Sequence, residues 1–142
     1  LNNKGHNFVA SISADGRFIV LGNTYKEDGS ILGDGVSVSH KKDDGTWEIP
    51  KPLKIPGYEN LNDHANFYMS ADETVLLMSI QDKNSFGDLD LYASFFNKYT
   101  KSWSPPMNLG KDLNTPFAED YPYLSNDSKT LYFSSKGYLG YG

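Results

Sequence analysis

The 142-residue chain carries 13 basic against 18 acidic side chains, a net charge of −5. That balance argues against a nucleic-acid surface, which needs a basic stripe. The absence of cysteine excludes a disulfide framework and thiolate metal ligands, and no apolar stretch approaches a membrane span.

Ten tyrosines, eight phenylalanines and frequent glycine read as β structure. The first expected strands cover 9–12 and 18–21, joined by the turn "SADG". A third follows at 36–40, and a last one runs from Trp47 through "EIPKPLKI". The pattern then starts again. Strands are expected at 67–70 and 75–79 around "ADET", at 89–95 after the loop "IQDKNSFGD", and from Trp103 through "SPPMNLG". Pro105 and Pro106 cannot donate to a ladder and suit an outer edge. A third start, "YPYLSNDSKTLYFSS", gives one more hairpin before Gly142.

Three markers set the period. Asp15, Asp72 and Asp127 are 57 and 55 residues apart, Trp47 and Trp103 are 56 apart, and "GDGVSVS" precedes "GDLDLYAS" by 54. Four antiparallel strands repeated at this interval are the mark of β-propeller blades. A helix reading fails, because no 3.6-residue apolar period is sustained and Gly and Pro interrupt everywhere. A sandwich does not predict such a repeat. The expected fold is therefore all-β, about two and a half blades of four antiparallel strands. The blades cover about 7–57, about 64–113 and, in part, about 117–142. Two and a half blades cannot close a ring, and the last would expose strand edges. The native polypeptide is accordingly expected to begin before Leu1 and to continue beyond Gly142.

"SADGRFIVLGN", "SADETVLLMSI" and "SNDSKTLYFSS" resemble the core of WD40-like propeller repeats of the TolB type. "GDLDLYAS" and the run from Ser102 to the end resemble the version in OmpA-family, peptidoglycan-associated envelope proteins of the Bacteroidota. The first unit departs from that pattern, with "VSVSH" and "KIPGYENLND" in place of its usual runs. The resemblance implies a non-enzymatic interaction scaffold in the periplasm, associated with the outer membrane and often lipid-anchored. Its partners would be other envelope proteins, including secretion or gliding machinery of the type IX kind. Peptidoglycan would be reached through a domain outside this chain. The competing reading is a propeller module of a hydrolase, a glycosidase or the gating domain of a peptidase.

Asp15, Asp72 and Asp127 sit in the repeated turns, where a carboxylate can accept backbone N–H bonds. Gly16 suits such a turn; Glu73 and Ser128 in its place predict turns that avoid positive φ. His6, His64 and Glu119 each lie six or seven residues before the turn serine. Equivalent positions should ring a channel mouth, so these three are the candidate binding residues. Asp82, Asn84, Asp88 and Asp90 form an acidic loop, but Phe86 and Ala93 occupy two ligand positions of the EF-hand pattern, leaving a solvated loop. Asp43 and Gly45 resemble a sialidase Asp-box, with Trp47 one residue too early. A glycosidase would need carboxylates about 5–10 Å apart, for which Asp63, Glu119 and Asp120 are the nearest to the expected mouth. No serine elbow or phosphate loop is present. No residue is assigned to catalysis, to a cofactor or to a metal.

Overall fold

The computed structural model describes residues 8–140. It is all-β: eleven strands, all paired antiparallel, and no helix among the described residues. The chain divides into two compact units, Leu1–Lys54 and Ile55–Gly142.

The first unit is one sheet of order β1-β2-β3-β4, formed by β1 (Val9–Ile12), β2 (Phe18–Tyr25), β3 (Ile31–His40) and β4 (Lys51–Pro52). The hairpin of β2 and β3 extends well beyond the expected 18–21 and 36–40. Its tip explains why: Asp28 accepts the Ser30 N–H at 2.9 Å, and Gly29 takes φ 80°, which closes a tight turn on five residues. Ile19, Leu21 and Tyr25 form the apolar cluster of this sheet, with Ile31 and Trp47 against them.

The second unit begins with β5 (Asn66–Met69), β6 (Val75–Ile80) and β7 (Asp90–Asn97). Their register is regular, from Asn66↔Ser79 and from Val75↔Phe95 to Ile80↔Asp90. In β6 Leu76, Leu77, Met78, Ser79 and Ile80 are all buried, so both faces of the strand are covered. A strand buried on both sides reads as a continuous apolar run, and "VLLMSI" is one.

The expected fourth strand is broken in two. Ser102–Trp103 (β8) pairs with the end of β7, and Met107–Asn108 (β9) pairs with its middle. Pro105 and Pro106 between them have no N–H to give. Ser104 spans the break: its N–H donates to the Phe95 carbonyl at 2.9 Å, and its carbonyl accepts the Ser94 hydroxyl at 2.7 Å. The first unit repeats the device, with Ser39 donating to the Glu48 carbonyl at 2.7 Å.

The remaining hairpin, β10 (Glu119–Leu124) and β11 (Leu131–Ser135), packs on the β5–β7 sheet. Leu124 and Leu131 lie on a cluster of Tyr68, Leu77 and Ala93, joined by Val75 and Leu109. The Tyr68 hydroxyl donates to the Leu124 carbonyl at 2.7 Å, and the Tyr68 and Tyr123 rings meet edge to face at 5.0 Å.

Candidate functional site

The three turn motifs share one hydrogen-bond plan. Ser13, Ser70 and Ser125 each donate a hydroxyl to the aspartate two residues on, at 2.9, 2.7 and 2.6 Å. The same hydroxyls accept the N–H of Phe18, Val75 and Thr130 at 3.0, 2.9 and 3.0 Å. Each aspartate accepts the N–H two residues further along: Arg17 at 3.1 Å, Thr74 at 3.2 Å and Lys129 at 3.2 Å. Serine and aspartate thus stand in for the peptide groups that a four-residue loop leaves unpaired.

These bonds favour the charged carboxylate. Asp15 is held down to about 2, chiefly by the Arg17 side chain, then by the Arg17 N–H and the Ser13 hydroxyl. Asp72 is lowered by the hydroxyls of Ser70 and Thr74, and Asp127 by Ser125 and the Lys129 N–H.

One expectation about these turns is corrected. Glu73 and Ser128 do not avoid positive φ; both sit at 57°, beside 69° at Gly16. The serine-aspartate clasp fixes the loop geometry, and the residue after aspartate must take the left-handed conformation whatever its side chain.

The three candidate mouth residues fall into different settings. His6 lies outside the described residues. His64 is exposed; its N–H donates to the Asn62 side chain at 3.0 Å and its carbonyl accepts the Asn60 amide at 3.1 Å. Glu119 is fully buried. One of its carboxylate oxygens accepts the Thr115 N–H at 2.7 Å; the other accepts the Thr115 hydroxyl at 2.7 Å and the Ser135 hydroxyl at 2.6 Å. Its main chain is engaged too, with the N–H on the Leu89 carbonyl at 2.7 Å and the carbonyl accepting Ser79 at 2.7 Å. Glu119 therefore ties the 115 loop, β11 and the sheet together. Its neighbour Asp120 accepts Asn66 and the Tyr121 N–H, both at 2.8 Å.

The acidic loop does not converge. Asp82 accepts the Asn84 N–H and the Tyr92 hydroxyl, at 2.6 and 2.7 Å, while Asp88 accepts Asn62 at 2.6 Å. Asp90 is fully buried rather than solvated, and takes the Phe86 N–H and the Asn108 amide, each at 2.8 Å. Among the described residues no three His, Asp or Glu side chains group as a metal site.

Two asparagines had no assigned role in the sequence, and the structure gives them one. Asn114 is buried and mimics a β-strand peptide: its oxygen accepts the Leu91 N–H at 2.7 Å and its amide donates to the Leu91 carbonyl at 3.1 Å. Asn108 links it to Asp90, accepting from Asn114 at 2.9 Å. Only the resemblance pointed there, since "NLG" and "NT" lie in the run from Ser102 that carries it.

Tyr123 and Tyr132, with ring centroids 6.1 Å apart, are 45 % and 58 % exposed, Tyr123 keeping one edge contact with Tyr68. Comparison with protein-family models, with curated proteins and with solved structures found no match.

Proposed function

We propose that this chain is a run of WD40-like, TolB-type propeller blades, a non-enzymatic docking segment of a larger periplasmic scaffold associated with the outer membrane. One observation carries the reading. The acids at the turns and on β10 are committed to hydrogen-bond donors within the chain, while large aromatic side chains such as Phe86 and Tyr99 are left facing solvent. Asp15, Asp72 and Asp127 clasp their turns, Glu119 is enclosed by Thr115 and Ser135, and Asp120 is held by Asn66. Exposed aromatic surface on a rigid sheet suits protein contact, where Tyr and Phe supply large area at low entropic cost. Other envelope proteins are the partners this reading calls for. The resemblance of the turn and Trp-Ser-Pro-Pro segments supports the family and the compartment.

The test is photo-crosslinking in native cells from the exposed loop residues Phe86 and Tyr99. The reading expects discrete adducts with envelope proteins and fractionation with the outer membrane. Fractionation with cytosolic proteins would overturn it. So would hydrolysis of glycosides or peptides by the purified chain, abolished by Asp63→Asn.

A further inference from the structure

Three loops of the second unit gather at one end of its sheet: 57–65 before β5, 81–89 between β6 and β7, and 109–118 before β10. They are bonded to one another. The Leu61 N–H donates to the Gln81 carbonyl at 2.7 Å, and the Gln81 N–H to the Asn60 side chain at 3.0 Å. The Asn62 amide donates to Asp88 at 2.6 Å, and the Glu119 N–H to the Leu89 carbonyl at 2.7 Å. Gly87 touches the third loop so closely that an added Cβ would lie 2.5 Å from the Phe117 carbonyl oxygen.

Two fully buried carboxylates fix these loops from beneath. Asp90 accepts the N–H of Phe86 at 2.8 Å and of Gly87 at 3.3 Å, and Glu119 accepts the N–H and hydroxyl of Thr115. Neither acid has a basic partner among the described residues; their remaining donors are Asn108 and Ser135. A carboxylate taken out of water costs stability unless donors replace the water, so acids buried against loop backbone hold that backbone in one conformation. The loops held in this way put apolar side chains in solvent. Leu61, Phe86 and Phe117 are 60 %, 53 % and 56 % exposed, and the two phenylalanines flank the Gly87 contact.

The charge at this end is one-sided. The three loops carry five acids, Asp63, Asp82 and Asp88 among them, against two lysines. At the opposite end of the same unit, in segments 70–74, 98–106 and 125–130, Asp72, Glu73 and Asp127 are matched by Lys98, Lys101 and Lys129. Tyr99 is exposed there as well, but no excess charge surrounds it.

We infer that the loop end of the second unit is a preformed docking surface for a basic segment of a partner protein. The segment is an extended peptide that lays an apolar side chain against Phe86 and Phe117 and sets lysine or arginine against Asp63, Asp82 and Asp88. Loops already fixed lose little entropy on binding, and the acids draw a cationic segment while repelling an acidic one. This deepens the scaffold reading and rests on it, by naming the chemistry of the partner and the end of the unit that receives it.

Fluorescence anisotropy with the full chain and short labelled peptides tests it. A peptide of alternating lysine and phenylalanine binds at least about tenfold more tightly than one of glutamate and phenylalanine, or one of lysine and glycine. Phe86→Ser weakens that binding about tenfold. Asp63→Asn combined with Asp88→Asn weakens it at low salt and by less at high salt. Tyr99→Ser, at the opposite end, leaves it unchanged. No binding of the lysine–phenylalanine peptide, equal binding of the glutamate peptide, Phe86→Ser that binds like wild type, or an equal loss in Tyr99→Ser would each overturn the inference. Phe117→Ser takes the place of Phe86→Ser if circular dichroism shows the first variant unfolded. Envelope crosslinks from Tyr99 but none from Phe86 would leave the scaffold reading standing while this inference fell.

Discussion

At Ser128 a non-glycine residue holds φ 57°, because the bonds from Ser125 and Asp127 leave the loop no other closure. The left-handed region crowds a Cβ against the backbone and costs about 1–2 kcal/mol. The first turn avoids that cost with Gly16, where an added Cβ would meet nothing within 4 Å. Ser128→Gly is therefore expected to stabilise the chain by about 0.5–1 kcal/mol, after the extra entropy of glycine in the unfolded state is counted. Urea denaturation measures this as a raised midpoint with an unchanged slope; a lowered midpoint would mean that the serine side chain supports the turn. The aspartates of these turns were legible from spacing, since a residue recurring in every unit serves the unit. The φ at Glu73 and Ser128 was not, because it follows from where the serine hydroxyl points.

The elements show the same division. Strands buried on both faces, such as β6, announce themselves as apolar runs, and the strands expected at 67–70, 75–79 and 89–95 overlap β5, β6 and β7. The prolines marked the last strand as irregular, and the structure splits it into β8 and β9. The acidic loop of Asp82, Asn84, Asp88 and Asp90 was read as solvated, yet Gly87 within it lies against the 115 segment. A Cβ on Gly87 would come within 2.5 Å of the Phe117 carbonyl oxygen and 2.6 Å of that of Thr115. Backbone cannot step aside as a side chain can, so Gly87→Ala is expected to destabilise by about 1–3 kcal/mol. Thermal unfolding checks it: a melting temperature equal to wild type would show that the two loops are not in contact. Sequence could not foresee this approach, because it joins residues some thirty positions apart.

For the whole molecule, the repeat was the most legible feature, and it fixes which residues are equivalent. The binding residues were the least legible. Position before the turn serine grouped Glu119 with His64, but three hydroxyl and N–H donors enclose the one while the other stands in solvent. Equivalent sequence positions diverge when the segments after them differ, and only Glu119 has a Thr115 four residues before it and a Ser135 across the hairpin. The account's central claim is that, within the second unit, one face of the β5–β7 sheet is completed by the β10–β11 hairpin. A two-stranded hairpin is marginal alone, so β10 and β11 must draw their order from the Tyr68, Leu77 and Ala93 surface beneath them. Amide hydrogen exchange on the full chain, compared with Tyr68→Ala, tests that most directly. The account predicts slow exchange in β10 and β11 of the native chain and much faster exchange there in the variant, with β2 and β3 unchanged. Exchange in β10 and β11 that is fast in both, or that ignores the loss of Tyr68, would contradict it.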